Sequence, residues 1–88
     1  MAGRNTIALQ ETVSASAVQL PNTQVFDEVT LYAASGNTGT VYLGNASTVS
    51  SSNGFPLEKG TSVKFKGANL NSIYYVGTAS DKLGVFGS

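Results

Sequence analysis

The clearest structural signal in the chain is the segment VFDEVTLYAASGNTGTVYLG at residues 25–44. Its first half alternates between apolar and polar positions, with Val29 and Leu31 on one face and Tyr32 on the other. This is the pattern of a half-buried β-strand. The residues SGNTG at 35–39 supply turn chemistry, and alternation resumes at 40–44. We therefore predict strands at 25–34 and 40–44 that pair as a hairpin.

Similar alternating segments lie on both sides of this hairpin. They predict further strands at residues 6–13, 18–20, 61–66, 73–77 and 83–86, separated by turns rich in Gly, Asn and Ser. Apart from a weak single turn at 68–72, no segment favours a helix. We predict an all-β protein, a small antiparallel β-sandwich or barrel of about 7–8 short strands. It forms one domain at residues 6–88, preceded by a flexible N-terminal arm at residues 1–5.

Composition argues against several classes of function. The 88 residues contain 5 Lys or Arg and 5 Asp or Glu, which gives zero net charge. A nucleic-acid binder or a polybasic membrane anchor needs a clustered basic face instead. The chain has no Cys and no His, which excludes ordinary zinc and haem sites and also Ser-His or Cys-His catalysis. We expect no enzymatic activity, no catalytic, cofactor or metal site, and no nucleic-acid or membrane partner.

The few charged residues have a simple interpretation. Asp81 and the other carboxylates fall in turns or on exposed strand positions, so we expect them to be solvated surface charges. Lys64 and Lys66 alternate with Phe65, which places the lysines on an outward face and the ring inward. An oligonucleotide groove would need the aromatic ring beside the lysines. A solvated face that protects an edge strand from aggregation is therefore the preferred interpretation.

Tyrosines supply the candidate contact residues. Tyr32 and Tyr42 both lie opposite the aliphatic residues of their strands, and the predicted hairpin brings them onto one surface. Tyr74 and its neighbour Tyr75 must point to opposite faces, so one of them is outward. Exposed tyrosines with few charges nearby are typical of a protein–protein contact surface. Burial of both sheet faces and a sugar-stacking platform are the alternatives left open.

Size favours assembly with other chains. A domain of this length buries only about 60% of the surface that its unfolded chain exposes, which leaves it marginally stable. Without disulfides or metals, burial against another chain is the remaining common source of stability. Zero net charge removes the self-repulsion that would oppose it. We expect a homo-oligomer.

Four short motifs resemble those of small structural proteins of tailed bacteriophages. They are a VYLG strand at 41–44, the NGFPLEKG run at 53–60, the IYYVG strand at 73–77 and the LGVFG ending at 83–87. The resemblance covers residues 30–88. This chain departs from the family pattern at Tyr75, where a small residue is usual.

The resemblance implies a head decoration, or cement, protein of a phage virion. Such proteins sit on the outer surface of the capsid as symmetric oligomers, with a trimer favoured over a dimer, and bridge neighbouring capsomers. The implied partners are the major capsid protein and further copies of the chain. The implied location is the virion head, after synthesis in the host cytoplasm. Contact candidates are then the three tyrosines Tyr32, Tyr42 and Tyr74, together with Phe55 and with Arg4 and Asn5 of the arm.

A different function remains as the alternative. A glycan- or receptor-binding module of a phage tail or fibre would use the outward tyrosines as stacking platforms. Sugar binding that is lost on substitution of Tyr32 or Tyr42 would distinguish it from the cement role.

Overall fold

The computed structural model describes residues 6–25, 27–66 and 69–88. The predicted arm at residues 1–5, including Arg4 and Asn5, lies outside the described residues. The strands are β1 (Ile7–Thr12), β2 (Val18–Gln19), β3 (Glu28–Ala33), β4 (Val41–Gly44), β5 (Phe55–Leu57), β6 (Ser62–Lys66), β7 (Tyr74–Val76) and β8 (Lys82–Gly87). A 3₁₀ turn at Leu70–Ser72 precedes β7. No helix in these ranges is long and apolar enough to cross a bilayer.

The eight strands form two antiparallel sheets of four strands each. Sheet A has the order β1-β8-β3-β6, and sheet B has the order β2-β7-β4-β5. Of the strands that follow one another along the described chain, only β4 and β5 pair directly. Eight strands that alternate between two sheets in this order form a jelly roll. The predicted fold class is therefore confirmed, and the sandwich rather than the barrel is the form it takes.

The predicted pairing of the first hairpin is wrong. β3 pairs with β6 and β8 in sheet A, whereas β4 pairs with β5 and β7 in sheet B. The loop at 35–39 crosses from one sheet to the other instead of turning back within one. A five-residue loop is long enough for either connection, and alternation along a strand does not specify its neighbour.

The core lies between the sheets and consists mainly of the inward residues that alternation predicts, together with Leu20, Val25 and Leu70 from the connections. Val29, Leu31 and Ala33 of β3 are buried, as are Leu83 and Val85 of β8. Tyr75, the residue that departs from the phage pattern, is 1% exposed and lies among them. Its hydroxyl donates a hydrogen bond to Glu11 Oε1 at 3.4 Å, across the β1/β2 side of the sandwich. Burial and the nearby carboxylate raise the pKa of Tyr75 to about 12.

Polar groups close one end of the sandwich. Asp81 is 6% exposed, so the expectation of a solvated carboxylate is wrong here. Its carboxylate accepts hydrogen bonds from the backbone N–H groups of Thr38 and Gly39, both at 3.0 Å. The buried Asn37 side chain exchanges two further hydrogen bonds with the backbone of Lys82, at 2.8 and 2.9 Å. These bonds tie the β3–β4 crossover to the start of β8.

Candidate contact surface

The outer face of sheet A carries an uncovered aromatic patch. The inward positions of β8 are Leu83 and Val85, so Phe86 points outward, and its side chain is 64% exposed. Tyr32 of the adjacent strand β3 points to the same face and is 41% exposed. These two rings, with Ala8, Thr30 and Gly84 between and beside them, are called the aromatic patch below.

Strand register fixes the arrangement of the patch. One row across the sheet places Phe86 between Ala8 and Thr30. The next row places Gly84 between Gln10 and Tyr32. Because Gly84 has no side chain, the rows enclose a shallow, largely apolar depression beside the two rings.

Charges on this face stand at its margin. Lys64 lies opposite Thr30 on edge strand β6, and Lys66 lies opposite Glu28. On the other side, Lys82 Nζ donates a hydrogen bond to Thr12 Oγ1 at 3.0 Å. An uncharged aromatic centre with a polar rim is the anatomy of a protein-binding surface.

Sheet B presents a different outer face, because the β4–β5 loop folds back over it. Val49 of this loop is buried and lies directly over Gly44, where a Cβ atom would come within 2.6 Å of Val49 Cγ2. Gly54 approaches Tyr42 and Val49 in the same way. The side chain of Asn53 braces the loop by accepting a hydrogen bond from the Ser50 backbone N–H at 2.8 Å.

The four described contact candidates lie in three separate places, which are the aromatic patch, the outer side of sheet B and the open side of the sandwich. Tyr32 is in the aromatic patch, whereas Tyr42 and Tyr74 are half-buried on the outer side of sheet B. The prediction that Tyr32 and Tyr42 share one surface is wrong, because the two strands belong to different sheets. The prediction that one of the adjacent tyrosines is outward is confirmed, since Tyr75 is buried and Tyr74 is not.

The fourth described candidate, Phe55, lies at an open side of the sandwich. It is opposite Leu43 in the β4–β5 pair and so faces inward, yet it is 55% exposed. A groove of about 450 Å³ separates it from Val63 and Phe65 of β6. Sequence reasoning missed Phe86 as a contact residue, although its position after the inward Leu83 and Val85 already implied an outward ring.

Comparisons with known proteins give one solved structure with a similar fold. No protein-family model matches the sequence, and no curated protein matches it either. A solved structure of Bacillus endospore appendages, described as a novel family of disulfide-linked pili, is similar to this chain. The superposition has a TM-score of 0.59 at 17% identity and covers 93% of this chain and 79% of that one. At this identity, the similarity supports the fold.

Proposed function

We propose that this chain is a non-enzymatic structural protein of a phage virion, which decorates the outer surface of the head and stabilises the shell. Its partners are the major capsid protein and further copies of the chain, with a trimer as the preferred oligomer. The sequence resemblance to phage structural proteins supports this assignment. So does a β-sandwich that presents the exposed aromatic patch.

The observation that carries the proposal is the aromatic patch. Phe86 and Tyr32 are exposed side by side on two central strands of a sheet, and the charged residues that the structure describes on this face stand at its margin. Burying such a side chain fully contributes about 1.5–3 kcal/mol. Two adjacent rings that are exposed to water favour a surface that binds a partner.

The size of the face favours a repeated contact over a single strong one. Four strands about 4.8 Å apart and six residues of about 3.3 Å give a face of roughly 400 Å². A stable pairwise interface needs about 800 Å² on each partner. A contact of half that size is weak alone but accumulates when many copies bind one lattice. This is the situation of a decoration protein on a capsid.

The similar pilus protein supports a role in a large assembly. It indicates that a domain with this fold can serve as the subunit of a large assembly. The assembly there is disulfide-linked, whereas these 88 residues contain no cysteine. Contacts of this chain with its neighbours would therefore be non-covalent.

Shell binding tests the proposal. Phage shells assembled with the protein should melt at a higher temperature than shells without it. The Phe86→Thr variant should bind shells at least tenfold more weakly, since it removes the more exposed ring of the patch while keeping a residue that favours strands. Phe55→Thr, which removes a ring of similar exposure at the β5/β6 side of the sandwich, is the matched control and should bind normally. Equal melting temperatures with and without the protein would contradict the cement role.

One observation keeps the glycan-binding alternative in consideration. Tyr32 shares its row of the sheet with Gln10 and Ser62, and an aromatic ring bordered by amide and hydroxyl groups suits a sugar. Oligosaccharides titrated against tyrosine fluorescence would test it. Saturable binding that disappears in Tyr32→Ala, with no binding to shells, would favour the adhesin.

A further inference from the structure

The two lateral sides of the sandwich are closed to different extents. On the side of β1 and β2, Tyr75 spans the gap to Glu11. On the side of β5 and β6, the inward residues Val63 and Phe65 are only half-buried, and Phe55 is largely exposed. The groove between them reaches the core residues Leu31 and Leu43 and is lined mainly by apolar groups, including Ile73. Here the edge of the core is partly exposed to solvent.

The backbone of β6 is open at the same place. β6 is the last strand of sheet A, and no described strand lies on its far side. The Ala33 N–H donates a hydrogen bond to Thr61 O, which shows which residues of β6 direct their backbone groups towards β3. Because N–H and C=O groups alternate in direction along a strand, Val63 and Phe65 bond towards β3. The N–H and C=O groups of Ser62, Lys64 and Lys66 therefore point away from the sheet.

We propose that this edge and groove bind an extended segment of a partner protein, with apolar and acidic residues in alternation, as an additional antiparallel strand beside β6. Main-chain hydrogen bonds to Lys64 and Lys66 would hold it, and its apolar side chains would enter the groove next to Phe55. β6 has five residues, so a partner strand of similar length fits. This inference goes beyond the proposed function and uses a different surface from the aromatic patch.

Charge determines the chemistry of the occupant. Residues that face each other across an antiparallel pair lie on the same side of the sheet, so those opposite Lys64 and Lys66 stand beside the lysine side chains. Carboxylates in these positions would pair with the lysines, and the intervening residues would point into the apolar groove. A second copy of β6 centred on Lys64 would oppose lysine to lysine, which is unfavourable. An acidic and apolar segment of another protein fits better.

A labelled peptide provides the probe. Fluorescein-Thr-Val-Glu-Val-Glu-Val-Thr-amide should bind the intact protein in an anisotropy titration. The same peptide with Lys in place of both Glu residues should bind about fivefold or more weakly. N-methylation of the two Glu residues should abolish binding, because their N–H groups face β6. N-methylation of the central Val should be tolerated, because its N–H faces solvent.

Protein variants locate the site. Lys64→Glu should weaken binding of the acidic peptide and strengthen binding of the lysine peptide. Lys82→Glu makes the same change in net charge on a different strand and should do neither. Phe55→Ser alters an exposed side chain, so the fold is retained, and should weaken both peptides by removing one wall of the groove. Phe86→Thr should leave peptide binding intact, which separates this inference from the proposed contact with the shell.

Three results would overturn the inference. Failure of both peptides to bind would mean that the lysines only protect the edge from aggregation. Equal binding of the acidic and lysine peptides would show that Lys64 and Lys66 do not select an acidic segment. Self-association in sedimentation that Phe55→Ser abolishes would assign the groove to a second copy of the chain.

Discussion

Sheet A and sheet B have outer faces of opposite character. On sheet B, the chain covers its own surface, since Val49 of the β4–β5 loop packs over Gly44 and next to Tyr42. On sheet A, Gly84 lies in a similar outward position, but none of the loops that the structure describes descends onto it, and Phe86 and Tyr32 remain exposed to water. In each case a glycine leaves a gap in the sheet face. The difference lies in what fills the gap: the protein itself on one face, and a proposed partner on the other.

This contrast separates residues that stabilise the domain from residues available for contacts. A ring or methyl group already packed against its own chain has little more to gain from a partner. An exposed ring still has its full burial energy to contribute. Substitutions on sheet B should therefore alter stability, and substitutions on sheet A should alter binding.

The largest difference is expected at the two glycines. A Cβ at Gly44 would lie 2.6 Å from Val49 Cγ2 and 2.7 Å from Val49 Cβ, so Gly44→Ala must displace the loop. We expect it to lower the free energy of unfolding by ~2 kcal/mol. A Cβ at Gly84 would be no closer than 3.7 Å to its neighbours, and Gly84→Ala should change stability by less than ~0.5 kcal/mol. Urea unfolding measures both, and equal losses would contradict the contrast.

A smaller difference is expected between Val49 and Phe86. Val49→Ala removes two buried methyl groups and should cost about 1.5 kcal/mol, without affecting binding to shells. Phe86→Thr removes a much larger but exposed side chain and should leave the free energy of unfolding within about 0.5 kcal/mol of the original protein. Thermal unfolding of the two variants side by side checks this. A large loss in Phe86→Thr would show that the ring supports its own fold.

Alternation in the sequence predicted seven of the eight strands and most of their inward residues. It missed β5, which has only three residues and carries Pro56 at its centre. Val29, Leu31 and Ala33 in β3 and Leu83 and Val85 in β8 are buried as the pattern required. The pairing of strands was not predictable in this way, because a period of two assigns a face and not a neighbour. The crossover at 35–39 depends on Asn37 and Asp81, which lie far apart in the sequence. Nothing local to either residue indicates that they stabilise the same end of the sandwich.

Only part of the candidate contact surface could be predicted, because alternation assigns a residue to a face but does not identify the neighbouring strand. The outward position of Tyr32 could be predicted from its own strand, because its neighbours Leu31 and Ala33 point inward. That Phe86 lies next to it depends on β8 pairing with β3, a contact between distant parts of the chain. The exposure of Phe55 could not be predicted from its strand. Its position in β5 is inward, and it is exposed because β5 and β6 leave that side of the sandwich open.

The smallest effect on stability is expected at the end of the sandwich that contains Asp81, where polar groups of the chain form hydrogen bonds with one another. A hydrogen bond from the Thr38 backbone N–H, with further ones from the Gly39 N–H and the Thr38 hydroxyl, holds the pKa of Asp81 below its ordinary value. A carboxylate whose pKa is lower in the folded protein adds stability above the unfolded pKa of about 3.9, and this is lost as pH falls through the folded pKa. Asp81→Asn should therefore melt earlier than the original protein at pH 7.

The difference should then shrink as the original protein becomes protonated. Melting temperatures measured from pH 7 down to pH 2 test this. Glu58→Gln removes one exposed carboxylate and serves as the matched control for the change in net charge. Curves for Asp81→Asn and the original protein that stay parallel over the whole range would mean that the ionised form of Asp81 does not hold the crossover. In that case the uncharged Asn37 would be the group that joins the two sheets at this end.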